Sequence, residues 1–98
     1  MFEIYWTGEA ESVFLRLKAN PSEKTLNHAV KKTLKLLSEN PRHTGLQTHP
    51  FFSLTGPNGE KVFEAYTQQK TPAAYRVFWY HGSKKGTIII LAITAHPK

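Results

Sequence analysis

No cysteine occurs among the 98 residues, so no disulfide staples the fold and a reducing cytoplasm suits it. A structural zinc site would need several histidines or carboxylates to converge. Acidic residues are scarce, seven against thirteen Lys and Arg, and the formal charge is +6. That balance favours a polyanionic partner such as nucleic acid or an acidic protein over a bare solubility role. Long apolar runs are missing too. The longest, Ile88 to Ile93, falls far short of the ~20 residues of a membrane-spanning helix. The opening "MFEIYW" holds an acid at Glu3 and no basic stretch, unlike a secretory signal. The expectation is a soluble cytoplasmic protein that engages no membrane. Repeats, low-complexity tracts, interdomain linkers, a nucleotide-binding glycine loop and a serine-histidine-acid set are all absent.

What is present suffices for one domain spanning residues 1–98, with 40% apolar residues and twelve aromatics. A chain of this size buries roughly 60–65% of its unfolded surface. Phe2 to Trp6 reads as a first strand. Thr7 caps a helix in which Ala10, Val13, Phe14 and Leu17 share a face, and Asn20-Pro21 stops it. Ser22 is the cap candidate for a second helix, with Leu26, Ala29, Val30, Thr33, Leu34 and Leu37 as its apolar stripe. Its opposite face carries Lys24, Lys31, Lys32 and Lys35, and Asn40-Pro41 ends it. The two helices, approximately 8–19 and 23–39, should form a hairpin. Beyond Pro41 the period becomes two. "FFSLTG", "VFEAYT", "AYRVFWY" and "TIIILAIT" read as strands joined by "GPNGEK", "QQKTPA" and "HGSKKG". The fold class is α+β: an N-terminal strand and helical hairpin packed on a mainly antiparallel sheet of three to five strands. Phe63, Val77, Ile89 and Leu91 are expected to meet the helices.

Arg76 is the residue that does not suit its strand. A guanidinium is costly to bury, so Arg76, Phe78 and Tyr80 are assigned to the face away from the helices, together with Glu64 and Tyr66. A symmetric link places Tyr66 opposite Arg76 and Glu64 opposite Phe78, diagonal to the arginine. Two readings stay open. Arg76 is a cross-strand partner of Glu64, worth about 0.2–1 kcal/mol on an exposed sheet, or a phosphate ligand on a rigid strand between aromatics.

The same segment carries a family likeness. "YRVFW" opening a strand, a turn, and "IIILAITAH", preceded by a strand, a helical hairpin and "NPRHTGLQTHPF", resembles the RelE/ParE toxin superfamily across nearly the whole chain. The resemblance implies a small sheet curved against a helical hairpin, and a toxin of a type II toxin–antitoxin system with a cognate antitoxin that wraps it. RelE-type members cut mRNA in the ribosomal A site, whereas ParE-type members inhibit DNA gyrase. In the RelE-type pattern the arginine of the "YR" strand contacts the scissile phosphate, and Arg76 matches it. A histidine or arginine shortly after the last strand corresponds to His96, and a charge-neutralising lysine corresponds to Lys61.

Metal-independent RNA cleavage needs a proton acceptor, a proton donor and positive charge at the phosphate. Arg76 supplies charge, His96 exchanges protons, and Glu64 and Tyr80 are candidate partners, Glu64 as base. Tyr66 or Phe78 could stack a base, and Lys61, Lys84 and Lys85 could grip a nucleic-acid backbone. If Arg76 pairs with Ala92, His96 stands about 13 Å further along the strand. His43 and His49, six apart, match no standard zinc spacing, so neither metal nor cofactor is expected. His49-Pro50 reads as packing or capping the loop into the sheet, and His28 and His81 as solvent-facing. The expected activity is a ribosome-dependent mRNA endoribonuclease. The alternatives are a ParE-like gyrase inhibitor without catalysis and a non-toxic basic nucleic-acid or protein-binding module.

Overall fold

A computed structural model of the chain describes residues 1–67 and 75–95. The link at 68–74 and His96 lie outside the described residues. Strand β1 (Glu3–Trp6) leads into helix α1 (Gly8–Ala19), a 3-10 turn (Pro21–Glu23) and helix α2 (Lys24–Glu39). A second 3-10 turn (Thr44–Leu46) precedes strands β2 (His49–Thr55), β3 (Lys61–Tyr66), β4 (Tyr75–His81) and β5 (Thr87–Ala95). The sheet order is β1-β5-β4-β3-β2, antiparallel except for the β1–β5 pair, so the expected α+β architecture holds with five strands. Among the described residues no helix is long and apolar enough to cross a membrane.

Local chemistry sets the corners. Thr7 Oγ1 accepts from the Ala10 N–H at 3.1 Å, capping α1 as its position predicts. The same hydroxyl donates to the Leu91 carbonyl at 2.8 Å, which ties the helix start to β5. The second corner differs from expectation. Asn20 is the cap, its Oδ1 accepting from both the N–H and the hydroxyl of Ser22, while α2 starts without a side-chain cap. An Asn before proline sits in extended backbone and turns its amide onto the chain two residues on. Lys24, Lys31, Lys32 and Lys35 are all exposed, as the helical pattern requires.

The hairpin covers one sheet face. Ala10, Leu17, Val30 and Leu37 pack against Ala65, Val77, Trp79, Ile88, Ile90 and Ile93. Phe63 joins this core at its margin, and Val77 occupies its centre. Ile89 and Leu91, expected there as well, point the other way. Strand β5 is largely apolar at both parities, so no charged residue marks its outer face. Its register also breaks: Phe78 pairs with Ala92 and Trp79 with Ile90, leaving Leu91 as an extra residue in a bulge. The core-facing set is therefore Ile88, Ile90 and, past the bulge, Ile93. The Thr7 N–H and hydroxyl take the carbonyls of Ile90 and Leu91, so the bulged backbone is satisfied by the turn into α1.

The opposite face is a second small core. Val62, Phe78 and Tyr80 are buried there, with Phe51, Ile89, Leu91 and Ala92 packed around them. Strand β2 produces this cover. Between Pro50 and Thr55 it advances five residues while β3 advances two, so it arches away from its partner. The arch lays Phe51 on Phe78, with ring centroids 4.8 Å apart.

Candidate functional site

The register of β3 against β4 is the symmetric one: Tyr66 pairs with Arg76, Ala65 with Val77, and Glu64 with Phe78. Period-two alternation then puts Glu64, Tyr66, Arg76 and Phe78 on the face away from the helices, as the position of the arginine implied. Glu64 and Arg76 form an ion pair through Arg76 Nη1 and Glu64 Oε2. The pair is not on an exposed surface. Arg76 is 9% exposed and Glu64 only 1%. Phe51 and Phe78 close over the guanidinium, their ring centroids 5.7 and 5.1 Å from its carbon. The pair thus belongs with buried salt bridges, in which removing one partner strands the other charge.

A third member comes from β2. His49 pairs with Glu64 in the β2–β3 ladder, and its Nε2 lies 2.6 Å from Glu64 Oε1. Its Nδ1 lies 3.1 Å from the Gln47 carbonyl. Both ring nitrogens thus face an oxygen acceptor. The His49 side chain is 45% exposed, so this chain of charges runs from a covered arginine through a covered carboxylate to a histidine at the surface. Tyr66 completes the group. Its ring centroid is 5.6 Å from that of His49. Partial burial first, then the Glu64 charge and a hydrogen bond to Glu64, hold the phenol pKa above its ordinary value.

The remaining expected site residues are dispersed. Glu64 has both oxygens occupied by donors, a geometry of positioning rather than of proton abstraction. Tyr80 is buried four residues beyond Arg76 on the same strand, about 13 Å away. Burial, and then the charge of Glu60, raise its phenol pKa. Phe78 is 3% exposed beneath Phe51 and the Arg76 guanidinium, so its ring offers no open surface to a base. Lys61 is exposed at the start of β3, with its Nζ 5.7 Å over the Phe63 ring. Lys84 and Lys85 are exposed in the β4–β5 turn, at the far end of the strand from Arg76. Arg76 pairs with Thr94, not Ala92, so His96 follows the arginine's cross-strand partner by two residues rather than four.

Sequence reasoning read His49 as packing or capping the loop into the sheet and not as a member of the site. The one signal was its strand, because a histidine opening β2 must sit beside whatever β3 presents. His43 has a different task, its Nδ1 accepting from the Gly45 N–H at 2.9 Å. His28 is exposed on α2. His81 is exposed as expected, yet its ring stands edge-on to Trp79 at 5.0 Å and 84°.

No protein-family model matches the chain, and no curated protein matches it in sequence. Solved structures do. The YoeB/ParE toxin from Agrobacterium tumefaciens superposes with a TM-score of 0.71 at 9% identity, covering 98% of this chain and 100% of that one. The archaeal RelE-RelB complex from Pyrococcus horikoshii OT3 gives 0.65 at 16% identity, covering 96% and 93%. The intact E. coli RelBE toxin-antitoxin complex gives 0.62 at 12%, covering each chain entirely. The N-terminal strand, helical hairpin and curved five-stranded sheet of this chain are the fold of the RelE/ParE toxins.

Proposed function

We propose that this protein is the toxin of a type II toxin–antitoxin pair and acts as a metal-independent endoribonuclease on ribosome-bound mRNA. The observation that carries the reading is the His49–Glu64–Arg76 group. A buried carboxylate holds a partly exposed imidazole in one orientation while a buried guanidinium balances the carboxylate. With His49 protonated, the three sum to one positive charge at the surface, suited to a backbone phosphate. In this scheme the 2′-hydroxyl attacks the phosphorus and gives its proton to solvent water, while His49 gives its proton to the departing 5′-oxygen, leaving a 2′,3′-cyclic phosphate and a 5′-hydroxyl. Glu64 orients the ring, Arg76 balances the carboxylate, and the net positive charge of the three stabilises the crowded phosphate. The partner is an acidic antitoxin chain complementary to the net charge of +6.

The burial of Arg76 favours a second reading, in which the triad only braces the sheet and the protein inhibits DNA gyrase by contact. Programmed ribosomes separate the two. Wild type should cut A-site mRNA, and His49→Gln should cut 10²- to 10⁴-fold more slowly, the usual range for a general acid. Because the His49 side chain is 45% exposed, its replacement should leave the melting temperature close to wild type. Intact mRNA alongside inhibited gyrase supercoiling would replace the ribonuclease reading with the gyrase one.

A further inference from the structure

A cleft of about 370 Å³ opens between the end of α2 and the helix-facing side of the sheet. Phe2, Arg42, Thr48, Phe63, Trp79 and His81 line it. A second lobe of about 430 Å³ shares Arg42, Thr48 and Phe63 and extends to His43 and His49. The two lobes adjoin at these shared residues, and the second reaches the exposed member of the triad.

One wall of this groove is aromatic. Phe63 stacks on Trp79 at 4.9 Å and 26°, and the His81 ring stands edge-on to both. Phe2 faces His81 at 6.3 Å. Neither lobe has an acidic residue in its lining, while Arg42 is exposed between them. Among the described residues both ion pairs belong to Glu64, which leaves the Arg42 guanidinium without a carboxylate. Two lining residues also carry buried polar atoms with no hydrogen-bond partner, Trp79 Nε1 and Thr48 Oγ1. Buried polar atoms are almost always paired, so both are groups that the described fold leaves unanswered at this groove.

We propose that this groove is a nucleotide subsite for single-stranded RNA, resting on the ribonuclease reading above. The base lies against the accessible rings of Phe2, Phe63 and His81, with Trp79 buried behind Phe63, and stacking there tolerates any base. The adjoining phosphate meets the Arg42 fork, and the strand continues through the second lobe to His49. The missing acids, the unpaired arginine and the aromatic wall fit a flat ring joined to an anion.

Nuclear magnetic resonance of the full chain tests this, following the Trp79 indole N–H with Trp6→Phe to assign it. The probes are 5′-AMP, 5′-UMP, adenosine and a 2′-O-methyl RNA trinucleotide, which resists cleavage. The trinucleotide and both nucleotides should shift the Trp79 signal saturably, and the trinucleotide should also shift His49. Adenosine should bind more weakly. Arg42→Ala should weaken the nucleotides about tenfold, the loss of one charge-assisted contact, and leave adenosine unchanged. No Trp79 response at millimolar probe overturns the subsite, as does a response indifferent to Arg42→Ala. A response to free nucleotides without one to the trinucleotide overturns its assignment to RNA. Binding as described with no cleavage on ribosomes sinks the ribonuclease reading and leaves the subsite standing. Cleavage without a Trp79 response sinks the subsite alone.

Discussion

Removing Arg76 should destabilise this protein strongly, so that its effect on folding precedes any report on catalysis. Arg76→Ala leaves Glu64, 1% exposed, with an ion-pair partner only in His49 and a neutral donor in Tyr66. Breaking a buried pair from one side typically costs about 3–5 kcal/mol, because the remaining charge has lost both water and its counterion. The aliphatic stem of Arg76 and its guanidinium also pack between Phe51 and Phe78, so part of the loss is packing. A domain of this length has a total stability of about 5–15 kcal/mol. Its melting temperature moves by roughly 4–8 °C per kcal/mol, so a fall of roughly 12–40 °C is expected. Replacing both partners, as in Arg76→Met with Glu64→Leu, should recover most of that loss, since no orphan charge remains. The assay is thermal unfolding by circular dichroism at low and high salt for wild type, both single variants and the double variant. A buried pair predicts little salt dependence. If Arg76→Ala melts within about 1 kcal/mol of wild type, the pair behaves as an exposed one and the argument from burial is wrong.

Two further outcomes follow from the same geometry. Tyr66 and Tyr80 have phenol pKa values raised in the folded state, so their contribution is complete below the unfolded value of about 10 and lost as pH rises through the folded one. Absorbance titration at alkaline pH should show two late phenols, and Tyr66→Phe with Tyr80→Phe should reduce the alkaline loss of stability; four tyrosines titrating together would contradict this. Thr7→Ala removes both the α1 cap and the donor to the Leu91 carbonyl, so denaturant unfolding should register a loss of about 1–2 kcal/mol. Thr7→Ser should keep most of that stability, and equal losses for the two variants would show that the hydroxyl is not responsible.

Local rules made much of the fold and part of the candidate site legible. Thr7, Asn20-Pro21 and Asn40-Pro41 punctuate the helices because capping and pre-proline sterics act within a few residues. The even parity of β3 and β4 was readable from Glu64 and Arg76, the charged residues inside the two strands. The register of that pair is the one a symmetric link gives, with Tyr66 opposite Arg76. Strand β5 had no such mark, and its bulge at Leu91 depends on the turn into α1, a segment more than eighty residues earlier. No period-two count along β5 contains that information.

The sequence by itself determined that the chain is basic, that its order is strand, hairpin, then strands, and that Glu64 and Arg76 share a face. Composition and short-range periodicity carry those facts. Only the tertiary structure decided that the pair is buried. Its cover comes from Phe51 on a strand that arches off its partner, and burial is a property of what lies across the sheet rather than of the residue itself. The same long-range pairing brought His49 to Glu64, turning a loop histidine into the exposed end of a charge chain. Ion-pair energies depend on dielectric and separation, neither of which is a local quantity in the chain.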